Sequence, residues 1–104
     1  MSALTAEFAR ELHPPMSAAD ALLEADRCLE CSGGAAPAPC TVACPADVDI
    51  ASFVASIAAG DPGAAATTIF AANVLGGTCA RVCPVEVLCQ GGCVLLHDGR
   101  DPIR

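Results

Sequence analysis

The chain contains no lysine, no tryptophan and no tyrosine, and its only aromatic side chains are Phe8, Phe53 and Phe70. Without lysine, and with five scattered arginines, it has no basic stripe of the kind that nucleic-acid binding requires. Without large aromatics the hydrophobic driving force is thin. The apolar fraction is 54%, but much of it is alanine, which removes little surface from water at ~25 cal/mol per Å². Long apolar runs are missing too: Gly, Asp or Pro interrupts each stretch, so no segment is expected to span a membrane. The first sixteen residues carry Glu7, Arg10, Glu11 and Pro14-Pro15 instead of an apolar core, so no secretory signal is read there. A cytoplasmic location, where thiols stay reduced, is the expectation.

What the chain has is cysteine. Eight of its 104 residues are Cys, arranged as Cys28-x2-Cys31-x8-Cys40-x3-Cys44-Pro45 and Cys79-x3-Cys83-Pro84-x4-Cys89-x3-Cys93. A single small domain this poor in bulky side chains needs staples. A disulfide framework would need an oxidising compartment, for which there is no signal. Two four-cysteine zinc sites would also use eight thiolates, but from paired C-x2-C knuckles, and only Cys28/Cys31 has that spacing. Two 4Fe–4S cubanes take four thiolates each and leave none over. In two-cluster ferredoxins the Cys of a Cys-Pro step belongs to the other cluster, so grouping in sequence need not equal grouping at the metal.

The pattern along the chain is helical throughout. Residues 1–15 form a weakly amphipathic lead-in (Leu4, Phe8, Leu12) stopped by the proline pair. Ser17 caps the next helix, with Asp20 three residues on, and Leu22, Leu23, Ala25 and Leu29 form its apolar side. Ser32 to Pro39 is too rich in Gly and Pro for regular structure. Asp49 opens a helix whose apolar residues Ile50, Phe53, Val54, Ile57 and Ala58 follow the helical period. Gly60 ends it, and Asp61-Pro62 restarts a third that runs to about Asn73. Residues 74–93 read as short turns carrying the second Cys group. No strand pattern is visible, and the expected fold is all-α over residues 16–96. Residues 97–104 read as a linker toward a further domain, as in a fragment or a short split subunit.

Other residues carry little chemistry. Arg81 could donate to cluster sulfurs or simply face solvent. His13 and His97 are isolated and read as surface residues, and Glu86 as a cap for a short helix with no partner for acid–base work. Gly60-Asp61-Pro62-Gly63 is a helix junction, not a phosphate loop. No catalytic site, flavin site or nucleotide site is visible.

The string RCLEC…CTVACPADVDIASFVASIAAGD…GGTCARVCPVEVLCQGGCV resembles the N-terminal helical double-cluster domain of the NADPH-dependent glutamate synthase small subunit. Related domains open dihydropyrimidine dehydrogenase and similar flavin-linked oxidoreductases. The resemblance covers about residues 17–104. It implies one cluster on Cys28, Cys31, Cys40 and Cys93, and a second on Cys44, Cys79, Cys83 and Cys89. The chain departs from the family pattern in the long gap between Cys31 and Cys40, which makes the Ser32–Pro39 loop bulge outward. Where the dihydropyrimidine dehydrogenase branch places a Gln ligand, Cys79 stands, as in the glutamate synthase branch.

The implied function is electron transfer: two 4Fe–4S clusters relay single electrons between an NAD(P)H-oxidising FAD domain or subunit and a second redox centre. FAD and NADPH belong to that adjoining part, and a large catalytic subunit such as that of glutamate synthase is a candidate partner. The formal charge of -7 becomes roughly -11 once two clusters and eight thiolates are counted, which suits docking on a flavoprotein. The alternatives are a double-zinc interaction module and a redox sensor with a labile cluster.

Overall fold

Six short α-helices and one 3₁₀ turn make up the described part of the computed structural model, which comprises residues 14–29, 31 and 37–104. Helix α1 (Ala18–Arg27) starts where Ser17 Oγ accepts the Asp20 N–H at 3.1 Å, with Asp20 in its first turn and Arg27 in its last, both favourable to the helix dipole. Its inward face differs from the expected one. Leu22, Leu23 and Leu29 are exposed, and the buried residues are Glu24 and Ala25. Ala21, Glu24, Ala25 and Cys28 lie one turn apart, so this narrow face turns Cys28 inward and leaves the leucines outside.

Helix α2 (Pro39–Ala43) has Pro at its start, where a missing N–H costs nothing. Its buried Thr41 accepts the Ile50 N–H on Oγ1 at 3.2 Å, fixing α2 to the head of α3 (Ile50–Ala58). Asp49 caps α3 by accepting the Ser52 N–H at 3.4 Å and the Ser52 hydroxyl at 2.6 Å. The expected apolar set holds: Val54 is buried, and Ile50, Phe53, Ile57 and Ala58 are half-buried. Beyond Gly60, Asp61 accepts the Ala64 N–H at 3.0 Å and Pro62 opens α4 (Pro62–Ala72), which ends at Asn73. Then come α5 (Gly76–Val82), the 3₁₀ turn Val85–Val87 and α6 (Val94–His97). No strand occurs among the described residues, and the fold is all-α.

Helix α3 is the hub, with α1, α2 and α4 packed on it. The core is small: Ala25, Ala38, Val48, Ala51, Val54, Ala65 and Leu95, four of these seven being alanine. No large side chain among the described residues is fully buried. Each alanine contributes well under the ~1.5–3 kcal/mol of a buried Leu or Phe, so helix packing alone holds this fold weakly.

Residues 101–104, inside the stretch expected as a linker, return to α1. Arg27 donates to the carbonyls of Asp101 and Pro102, and Arg104 donates its main-chain N–H to Glu24 at 3.0 Å. No single helix among the described residues is long and apolar enough to cross a membrane. The expected lead-in (Leu4, Phe8, Leu12), His13 and most of the Ser32–Pro39 loop lie outside the described residues.

Candidate metal centre

All eight cysteines are described, all are half-buried, and none forms a disulfide. They occupy helix ends and the turns between helices. Cys28, Cys44 and Cys83 are the residues at which α1, α2 and α5 stop, and Cys93 is the one at which α6 begins. All four have extended backbone there, so the chain turns as it presents the thiol. Cys40 and Cys79 lie within α2 and α5.

The thiols gather in two neighbourhoods that cross the sequence. Around Cys40, burial pushes the thiol pKa up. A main-chain hydrogen bond from Thr41 opposes this, and the charges of Cys28 and Cys93 push it up further. Cys40 is thus within electrostatic reach of both Cys28 and Cys93, which come from opposite ends of the chain. Burial also raises Cys83, followed by the hydrogen bond and charge of Cys79 and the charges of Cys89 and Cys44. Cys44 is the member of this group that comes from the first half of the chain. Cys89 is raised by burial and then, against a bond from the Gln90 main chain, by Cys44 and by Cys93. It lies where the two groups adjoin. Cys31 is half-buried near Cys28, with Glu30 and residues 32–36 around it outside the described residues.

Gly92 lets the 89–93 turn lie close on α2. A Cβ there would stand 3.0 Å from the Pro39 carbonyl oxygen and 3.2 Å from the Ala43 methyl, so a larger residue would need these neighbours to give by a few tenths of an ångström. That contact carries Cys93 to the helix bearing Cys40. Sequence reasoning read Gly91-Gly92 as a turn and missed this approach; a Gly-Gly pair directly before a ligand-type Cys is the only signal it leaves.

Among the described residues no three His, Cys, Asp or Glu side chains are placed to hold a single metal ion. The donor set fits clusters: eight soft ligands, all half-buried and drawn from both halves of the chain. His97 is exposed in the last turn of α6 and Arg81 is exposed in the last turn of α5. Glu86 does not cap the helix it was expected to cap; it sits inside the 3₁₀ turn, whose leading residue, Pro84, has no side-chain cap.

Second to the thiols is the Glu24 cluster. Burial alone would raise the Glu24 carboxyl, but the Arg104 main-chain bond, the Arg27 hydrogen bond and the two guanidinium charges hold it below the ordinary value. Glu24, Arg27, Gln90, Asp101, Pro102 and Arg104 line a cleft of about 470 Å³.

A family model described as dihydropyrimidine dehydrogenase domain II, 4Fe-4S cluster, matches residues 5–104. The chain is 48% identical over 83 residues to the NAD-dependent dihydropyrimidine dehydrogenase subunit PreT of Escherichia coli (strain K12), covering 80% of this chain and 19% of that protein. It is equally similar to PreT of Salmonella typhimurium and to the PreT homolog of Salmonella typhi, each 48% identical over 83 residues with the same coverage. The chain thus spans about a fifth of the length of these curated relatives, 19% in each case.

Proposed function

The chain belongs to the family of dihydropyrimidine dehydrogenase domain II, a 4Fe-4S domain of electron-transfer oxidoreductases, and we propose that it is a two-cluster relay between a nicotinamide-oxidising flavin centre and a second redox centre. The observation that carries this reading is the pairing of cysteines across the chain, Cys40 with Cys28 and Cys93, and Cys83 with Cys79, Cys89 and Cys44. Cys31 completes the first set by its C-x2-C spacing from Cys28.

In this reading the thiolates of Cys28, Cys31, Cys40 and Cys93 hold one 4Fe–4S cluster and those of Cys44, Cys79, Cys83 and Cys89 the other. A bound cluster supplies one-electron storage, which lets two-electron hydride chemistry on a flavin be divided into single steps. The protein's part is to place two sites side by side. Cys89, within electrostatic reach of both Cys44 and Cys93, lies where the two sets of ligands would adjoin. Half-burial of every thiol limits water at the ligands without sealing them from an electron donor.

The relatives' name favours a dihydropyrimidine dehydrogenase as the larger assembly, with the flavin and its NAD-type donor on an adjoining domain or subunit and a cytoplasmic setting. Cys79, where a Gln was expected for that branch, keeps the glutamate synthase small subunit as a second reading, with the glutamate synthase large subunit as partner. Anaerobic reconstitution tests the shared core: about eight iron and eight sulfide per chain are expected, with reduced-state paramagnetic signals from two centres. About two zinc ions and no sulfide would overturn it in favour of a structural zinc module.

A further inference from the structure

Besides the Gly76 N–H that its carbonyl accepts at 3.1 Å, Asn73 makes three hydrogen bonds, and the third ends on a thiol. Its main-chain N–H reaches the Ile69 carbonyl at 2.9 Å and closes α4. Its Oδ1 accepts the Leu75 N–H at 3.0 Å. Its Nδ2 donates to Cys79 Sγ at 3.2 Å. The second bond decides the third: the Leu75 N–H needs an acceptor, so the amide oxygen faces Leu75 and the NH₂ group must face the sulfur.

Local geometry locks this arrangement. Helices α4 and α5 meet at 90°, and a Cβ on Gly76 would stand 2.5 Å from Ile69 Cγ2. Only glycine at the head of α5 lets that helix fold so tightly over the end of α4, and the fold-over sets Cys79 above the Asn73 amide. Cys79 in turn donates its own N–H to the Leu75 carbonyl at 2.9 Å, closing the loop.

Resting on the cluster reading above, we propose that Asn73 is a positioning residue that orients Cys79 and raises the reduction potential of the cluster this thiolate helps to hold. The physics is that of any donor to a cluster sulfur. Reduction adds negative charge that is shared onto the ligand sulfurs, and an N–H aimed at one of them stabilises the reduced form more than the oxidised one. The first neighbourhood (Cys28, Cys40, Cys93) does not contain Asn73, so the effect separates the two centres in potential.

Two variants test it in the reconstituted chain. Asn73→Asp keeps the acceptor for Leu75 and loses the donor, while Asn73→Ala loses both without adding charge. Wild-type iron and sulfide are measured first; a chain that takes up neither overturns the cluster reading and this proposal with it. With wild-type loading established, both variants should lower the reduction equilibrium of one centre by about fivefold to tenfold, tenfold being ~59 mV for a one-electron couple. The other centre should stay in place, and the iron–thiolate stretching bands should shift. Asn73→Gln, which retains an amide donor, should recover part of the shift. Selective loss of the one cluster in both variants, with the other intact, also supports the proposal as a failure to seat Cys79. Unchanged midpoints in both variants overturn it, as does equal loss of both clusters, which would make Asn73 a folding residue only.

Discussion

Arg104 donates its main-chain N–H to Glu24 Oε2 at 3.0 Å, joining positions eighty residues apart. The carboxylate also receives two bonds from Arg27 and one, at 3.5 Å, from the Arg104 side chain. A buried acid is here satisfied from two directions, and the last residues of the sequence are held against the first described helix.

Glu24→Gln keeps the shape and removes the charge. The Arg27 and Arg104 side chains are 36% and 63% exposed, which screens their share, so a loss of about 1 kcal/mol is expected, or a fall of roughly 4–8 °C in the melting midpoint. The folded carboxyl titrates below its ordinary 4.5, so its contribution is present above that value and fades as pH falls through the lower folded one. Protection of the Arg104 amide from hydrogen exchange should differ between wild type and variant at pH 7 and converge at acid pH. A difference that grows toward acid would reverse the sign of this account.

Serine replacements separate crossed from sequential ligation. Serine is nearly isosteric but a poor soft ligand, so each change weakens one site with little disturbance of packing. Cys93→Ser should alter the same paramagnetic signal as Cys28→Ser and Cys40→Ser. Cys44→Ser should alter the one affected by Cys79→Ser, Cys83→Ser and Cys89→Ser. If Cys93→Ser follows Cys83→Ser instead, the ligands group by sequence.

Gly92→Ala tests the close approach to α2. The new methyl meets backbone at 3.0 Å, and the expected response is a small lift of the turn that draws Cys93 away from Cys40. A cost of about 1–3 kcal/mol is expected, read as faster iron loss to a chelator from the centre that includes Cys93. Gly77→Ala, whose Cβ would have nothing within 4 Å, is the control and should retain iron like wild type.

Metal removal should undo the fold. With a core of seven buried apolar residues, four of them alanine, metal–sulfur bonds must supply much of the folding free energy. Stripping iron should remove helical circular dichroism and cooperative melting together. An apo chain with a sharp transition near the holo midpoint would refute this.

The helices were legible wherever a local rule fixed them. Ser17, Asp49 and Asp61 each cap the helix they were expected to cap, because an N-cap is decided by a side chain and the amide three residues on. The α3 face was legible because five apolar residues repeat at the helical period. The α1 face was not: its leucines look like a core stripe, yet the packing partner α3 accepts alanine there, and helix-to-helix fit is decided between elements, not within one. Glu24 with Arg104, Gly92 with Pro39 and Asn73 with Cys79 escaped for the same reason. The first two join distant parts of the chain, and the third depends on a right-angle bend that Gly76 permits without announcing it. The cysteines were the part of the site most open to sequence reading, since their spacing alone bounds the chemistry.

The electrostatic reach of Cys40 to Cys93 also imposes an order on this segment as it is made. On the proposed grouping, neither set of four is whole until the second group of cysteines has left the ribosome: the set that begins at Cys44 is filled when Cys89 emerges, and the set that begins at Cys28 only when Cys93 follows it. Both sets are completed within about one helical turn of newly made chain, and truncation anywhere before Cys89 leaves neither centre whole.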